Sequence, residues 1–312
     1  MSCEVLGLGA VAMDIVLSCE ALPPEDGYAV IDQENAMPGG SCANVITALA
    51  GLGTRAGFIA RLGDDDHGRA LLADLQANGV CTRYIAVKKG GVSMYTYVAV
   101  ARGGAKTIFC HMGDSLLSLS ETDVHAGMLD GVKLFYTAMQ PCRPALKLAR
   151  LCRPSGIPVV CNLQVEPAFL HRCGVSRAMI DEMLGLSQLV MTYRQGLAAY
   201  TGRSGVRAGA REFCRRYRPA LGLVVTLGGA GAAWFDGREL LEVPAFVVPS
   251  RDTTGAGDAF IGGFIRAFFF EDQDPKAALR FASACAAVKC MRPGPRLKAS
   301  AAEIFDFLQD KE

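Results

Sequence analysis

A chain of 312 residues suffices for one large domain or two smaller ones with a sizeable core. Apolar residues make up 51% and charged residues 20%, as in ordinary globular proteins, and no apolar run is long enough to span a bilayer. A formal net charge of +1 leaves no global field to draw in nucleic acid or an acidic membrane surface.

Val5–Leu8 is an apolar run ending at Gly9 and predicts a buried strand, with a second beginning at Ile15–Leu17. The run meets Asp14 without a basic flank, so it reads as a strand rather than an export signal. From Ser41 to Leu52, Val45, Ile46, Leu49 and Leu52 recur at helical spacing, and Gly53 stops the helix. Ala56–Ala60 predicts a strand and His67–Asn78 a helix carrying Leu71, Leu72 and Leu75 on one face. Val92–Val100 alternates with a period of two, GGAK turns, and TIFCHM returns: a hairpin. From Lys133 the rhythm becomes βα. KLFYTAM, IPVVCNL, QLVMTY and LGLVVTL predict strands, with helices at Ala145–Cys152, Ser176–Leu184 and Ala208–Arg216. That alternation predicts a parallel sheet with helices on both faces, and the pieces near 15–38 and 90–112 predict a small antiparallel accessory sheet. LEVPAFVV predicts a last strand ending at Pro249, followed by a turn and a helix from about Gly257 to Phe270. The twelve cysteines are scattered with no CxxC pair, and they read as small buried residues of a chain in a reducing cytoplasm.

The turn before that last helix, Asp252 to Asp258, carries the chemistry. Gly255 and Gly257 allow a sharp turn and close approach of backbone to a ligand. The first helical amides lack internal partners and the helix dipole adds positive potential, which together bind an anion. Asp258, in the first turn, is ionised at neutral pH and suited to accept a proton from a bound hydroxyl. That pairing suits phosphoryl transfer. The pattern alone equally fits a plain strand-to-helix turn with a capping carboxylate.

Asp252-Thr253-Thr254-Gly255-Ala256-Gly257-Asp258-Ala259-Phe260, with Gly262-Gly263-Phe264 after it, resembles the C-terminal signature of the PfkB/ribokinase family of carbohydrate kinases. Gly39-Gly40-Ser41-Cys42-Ala43-Asn44 resembles the N-terminal signature, and the order of elements between them agrees from Gly7 to about Arg296. The resemblance implies a ribokinase-like three-layer α/β/α sandwich with a mostly parallel central sheet and a small antiparallel β lid, as one domain over residues 1–312. It implies a cytoplasmic kinase that moves phosphate from ATP, with Mg2+ bridging its phosphates, to a hydroxyl of a small-molecule sugar. Asp258 is then the general base, and Gly255, Ala256 and Gly257 form the anion hole. On the substrate side the resemblance places Asp14, Gly39, Gly40 and Asn44, with Gln140 and Asp252 beside them. On the nucleotide side it places Asn162, Thr226, Gly228, Gly231 and Ser283. Taken alone, Asp14 also reads as a turn cap and Asn44 as a solvated helix residue. The lid excludes water from the sugar, and some relatives pair as dimers through it, which the alternating strand Val92–Val100 permits.

Two departures stand out. Where relatives carry Asn-x-x-Glu to organise Mg2+, this chain has Tyr193-Arg194-Gln195-Gly196, so an altered magnesium dependence or a lower rate is expected and no metal-binding residue is assigned. Where relatives often have Gly-Ala lining a K+ site, it has Met291-Arg292-Pro293-Gly294-Pro295-Arg296, which leaves monovalent activation open. The competing readings are a nucleoside kinase of the same family, a non-catalytic sugar or nucleoside sensor, and a dinucleotide oxidoreductase. The last rests on Gly7-Leu8-Gly9 alone and lacks both the third glycine and a following acidic residue.

Overall fold

Residues 3–311 are described by a computed structural model. The first half of the chain runs β1 (Val5–Leu8), β2 (Ala12–Cys19), β3 (Ile31–Gly39), α1 (Ser41–Gly51), β4 (Ala56–Gly63), α2 (Asp66–Ala77), β5 (Cys81–Lys88), β6 (Tyr95–Ala101) and β7 (Lys106–His111). Then follow β8 (Leu134–Thr137), α3 (Cys142–Cys152), β9 (Val159–Leu163), α4 (Pro167–Arg172), α5 (Arg177–Leu186), β10 (Leu189–Tyr193), α6 (Arg194–Thr201), α7 (Val206–Tyr217) and β11 (Leu223–Thr226). The chain closes with β12 (Ala232–Phe235), β13 (Leu240–Val243), α8 (Ala256–Phe270), α9 (Pro275–Cys290) and α10 (Ala301–Gln309).

Short unbroken apolar runs such as Val5–Leu8 suit strands buried on both faces, and β1, β8 and β9 are buried along their whole length. They form the middle of a nine-stranded sheet in the order β13-β12-β11-β10-β9-β8-β1-β4-β5. Strands β5 to β11 of that order are parallel, and β12 and β13 turn back antiparallel. Helices α1, α8 and α9 pack one apolar face, and α3, α5 and α7 the other. The chain leaves β1 for β4 on one side and later returns to β8 on the other. Ligands of open α/β sheets bind at such a reversal, at the carboxyl ends of the strands.

The second sheet has the order β3-β2-β6-β7. Each excursion pairs antiparallel, and the two meet along a parallel seam between β2 and β6 that sets Asp14 opposite Thr96. The seam arises because both excursions leave the large sheet in the same sense. The second helix starts at Asp66 because the Asp65 carboxylate caps it, accepting from the Gly68 amide at 2.8 Å. Two boundaries are corrected and one strand is added. The last strand stops at Val243, well short of Pro249: Pro244 has no N–H to donate, and residues 244–250 run without ladder bonds. The hairpin strand begins at Tyr95 rather than Val92. The edge strand β5 adds a pairing with β4 that the periodicity did not announce. Among the described residues no helix is long and apolar enough to cross a membrane.

Candidate active site

Helix α1 begins where β3 ends, and its first turn is tied to the segment after β1 by the Ala43 amide, which donates to the Ala10 oxygen at 3.2 Å. This points Ser41 and Asn44 at the amino end of α8. Ser41 Oγ donates to Asp258 Oδ1 at 2.5 Å, and Asn44 Nδ2 donates to Asp258 Oδ2 at 2.7 Å. The two signatures, separated by most of the chain, therefore meet at one carboxylate. Behind them Arg296 is buried; its Nη1 donates to Asn44 Oδ1 at 2.9 Å and its Nη2 to Asp74 Oδ2 at 2.9 Å. A guanidinium can only donate, so it holds the Asn44 oxygen toward itself and the Asn44 nitrogen toward Asp258.

Asp258 keeps a solvent-facing edge while protein surrounds the rest. Burial pushes its carboxyl up to about 6; the Asp14 charge adds to this, and the bonds from Ser41 and Asn44 and the charge of Arg296 oppose it. With its carboxyl near 6, the carboxylate is still the main form at neutral pH. The turn before α8 is built around Gly255, which caps the helix at φ 74°. A Cβ there would stand 2.0 Å from the Pro295 oxygen, so only glycine fits. The expected anion hole of Gly255, Ala256 and Gly257 is altered here: the Ala256 amide is already engaged, donating back to the Thr253 oxygen at 3.2 Å. The amides of Gly257 and Asp258 remain as the first-turn donors, and a Cβ at Gly257 would meet nothing within 4 Å. Open space thus stands in front of the helix end.

Asp14, on β2, accepts from Thr96 Oγ1 at 2.7 Å. Burial raises its pKa, with the Thr96 bond and the Arg296 charge opposing. Gly39 is glycine because its neighbour is Asp14: a Cβ would lie 2.0 Å from Asp14 Oδ2. Gly40, at φ 86°, turns the chain into α1. Gln140 is buried after β8, its Nε2 donating to Cys173 Sγ at 3.2 Å. On the far side, Asn162 is buried at the end of β9, and Thr226 ends β11 with Gly228 and Gly231 in the loop beyond it. Ser283 is buried on α9.

Asp252 differs from the expectation that it faces a substrate. Thr254 N donates to its Oδ1 at 2.9 Å and Gly294 N to its Oδ2 at 2.8 Å, so its carboxylate is engaged within the protein. Burial works against its charged form, but those bonds and the nearby Lys289 charge outweigh burial and hold it below the usual carboxylate range. Sequence reasoning gave no role to Ser41, Thr96, Lys289 or Arg296. Lone cations in apolar surroundings, Lys289 in ASACAAVKC and Arg296 in a proline-rich loop, were the available signal. No group of three or more His, Cys, Asp or Glu that could hold a metal ion occurs among the described residues. Tyr193 and Gly196 are packed together: a Cβ on Gly196 would lie 2.7 Å from the tyrosine ring.

A large, mostly parallel sheet between helix layers, flanked by a small second sheet, defines the ribokinase-like class of folds. The putative Ribokinase II of E. coli solved in complex with ATP and Mg2+ matches with a TM-score of 0.84 at 23% identity, covering 99% of this chain and 100% of that one. The Burkholderia thailandensis nucleoside kinase in complex with inosine matches with a TM-score of 0.82 at 21% identity, covering 98% and 97%. Residues 3–302 match the family described as pfkB family carbohydrate kinase, and the chain belongs to that family. The ATP-dependent ribose-1-phosphate kinase of Halopiger xanaduensis is 30% identical over 308 residues, 99% of each chain.

Proposed function

We propose that this carbohydrate kinase moves the γ-phosphoryl group of ATP to a hydroxyl of a sugar or sugar derivative, with Asp258 as general base. The observation that carries this reading is the meeting of Ser41, Asn44 and Asp258 beside the open first-turn amides of α8. Asp14 orients the acceptor by accepting its hydroxyl hydrogens, a task for which a carboxylate beside Thr96 is suited. The Asp258 carboxylate takes the proton of the attacking hydroxyl as its oxygen bonds to phosphorus, and the bond to the leaving ADP oxygen breaks. The Gly257 and Asp258 amides, at the positive end of α8, hold the charge of the phosphoryl oxygens. The loop of Thr226, Gly228 and Gly231, with Asn162 and Ser283, receives the nucleotide. ATP supplies the phosphoryl group, and its Mg2+ offsets phosphate charge.

The small sheet acts as the lid, excluding water once acceptor is bound. Its outer face, with the cross-strand pair Tyr97 and Phe109 exposed, pairs two copies. All twelve cysteines are free, which suits a reducing cytoplasm.

The test is ADP release over a panel of sugars, sugar acids, nucleosides and sugar phosphates, with ribose 1-phosphate included because a relative at 30% identity is named for it. Turnover with one class, lowered roughly 10²–10⁴-fold by Asp258→Asn, supports the reading. An Asp258→Asn enzyme as fast as its parent would sink it.

A further inference from the structure

Lys289 lies on α9 with no exposed side-chain surface. Its Nζ donates to the main-chain oxygen of Asp252 at 2.6 Å and sits 3.8 Å from the Asp252 carboxylate. Around it the turn is tied at several points. The amides of Arg251 and Asp252 donate to the Cys290 oxygen at 2.8 and 3.2 Å, and the Gly294 amide donates to Asp252 Oδ2. Asp252 is thus the joint between the turn before α8, the end of α9, and the loop leading to Pro295, against whose oxygen Gly255 is pressed.

A methionine would fill this space without the desolvation cost of an ammonium, which is tolerated only where it is paired. Here the partners are a carbonyl oxygen, a carboxylate, and the negative end of α9, since Lys289 falls in the last turn. Burial lowers the Lys289 pKa and the Asp252 charge opposes this; Asp252 itself is held ionised. The charge therefore meets the main-chain and carboxylate oxygens of Asp252, at the root of the amides that receive phosphate.

We propose that Lys289 is a positioning residue, a built-in cation that holds the turn from Asp252 to Asp258 in its phosphate-binding shape, so that no free monovalent ion is needed there. The proposal rests on the phosphotransferase reading for its kinetic consequence but not for its structural one. The parent enzyme is expected to show equal kcat and equal Tm in potassium, sodium and choline chloride at one ionic strength. Lys289→Met keeps the length and removes the charge. It should lower kcat roughly 100-fold, as small misplacements of a site do, while the acceptor KM stays within about twofold. In Lys289→Ala, which vacates the space that a methionine fills, potassium or ammonium should restore part of the rate and raise the Tm, leaving the parent unmoved. A parent stimulated by potassium overturns the proposal, as does a Lys289→Met enzyme with parental kcat. If Lys289→Met does not fold, the cation response of the parent decides alone. If the parent turns over no acceptor, the kinase reading fails separately, and a Lys289→Ala melt that ignores potassium overturns the cation role.

Discussion

Asp258 carries two opposed demands. As the proposed base, Asp258 works only deprotonated, so with its carboxyl near 6, kcat/KM should fall about tenfold per pH unit below that point and level off above it. A pH–rate profile checks this, and a flat profile between pH 5 and 7 would refute it. The same shift bears on stability with a fixed sign. A carboxyl whose folded pKa lies above its ordinary 3.8 binds its proton more tightly in the folded state, so its stabilisation is present at low pH and lost as pH rises through about 6. Asp258→Asn should therefore melt above its parent at pH 8 and with it at pH 4. The difference should be about 1 kcal/mol, discounted because one edge of the group meets water. Asparagine fits there because the Ser41 hydroxyl accepts as readily as it donates. Asp258 and Asn44 are legible in the sequence because each sits inside a short local pattern. Arg296 is not, since its contacts to Asn44 and Asp74 cross most of the chain and leave no local trace.

The junction of β10 and α6 shows how an element can be rebuilt as a unit. Tyr193 ends the strand, and its ring occupies the space that a side chain at position 196 would need. Gly196→Glu alone should destabilise the protein by about 1–3 kcal/mol through overpacking. Tyr193→Asn in the same chain should recover part of that loss, since the Thr192 hydroxyl, 2.8 Å from the same Cβ, remains; urea melts of the two single variants and the double variant would measure the coupling. The double variant should also need less magnesium for half-maximal rate, since it gains an amide and a carboxylate where this chain has neither. Additive melts would argue that the two positions are independent. At this scale the sequence marks strands with continuous apolar runs, such as Val5–Leu8, and helices with regular spacing, such as Val45 to Leu52. It does not mark β5, whose half-exposed residues show no clean alternation, and it extends the last strand through Pro244, where the ladder ends.

At the scale of the whole molecule, the small sheet presents the cross-strand pair Tyr97 and Phe109 at 41% and 65% exposure. Sedimentation should find a dimer, and Phe109→Asp should shift it toward monomer without unfolding, because that side chain touches solvent rather than core. A parent that sediments as a monomer at micromolar concentration would rule the pairing out. The two sheets were legible as separate units, since the rhythm of the hairpin differs from that of the βα units. The parallel seam between β2 and β6 was not, because it joins segments that share no local pattern. The chain of contacts from Asp74 through Arg296 and Asn44 to Asp258 has a kinetic corollary. Its links close loops of more than two hundred residues, and long closures form late in folding. On refolding from denaturant, helical signal should return ahead of turnover. A nascent chain still lacking residue 296 should hold Asn44 and Asp258 unaligned, so phosphate transfer would begin only after synthesis has passed that arginine.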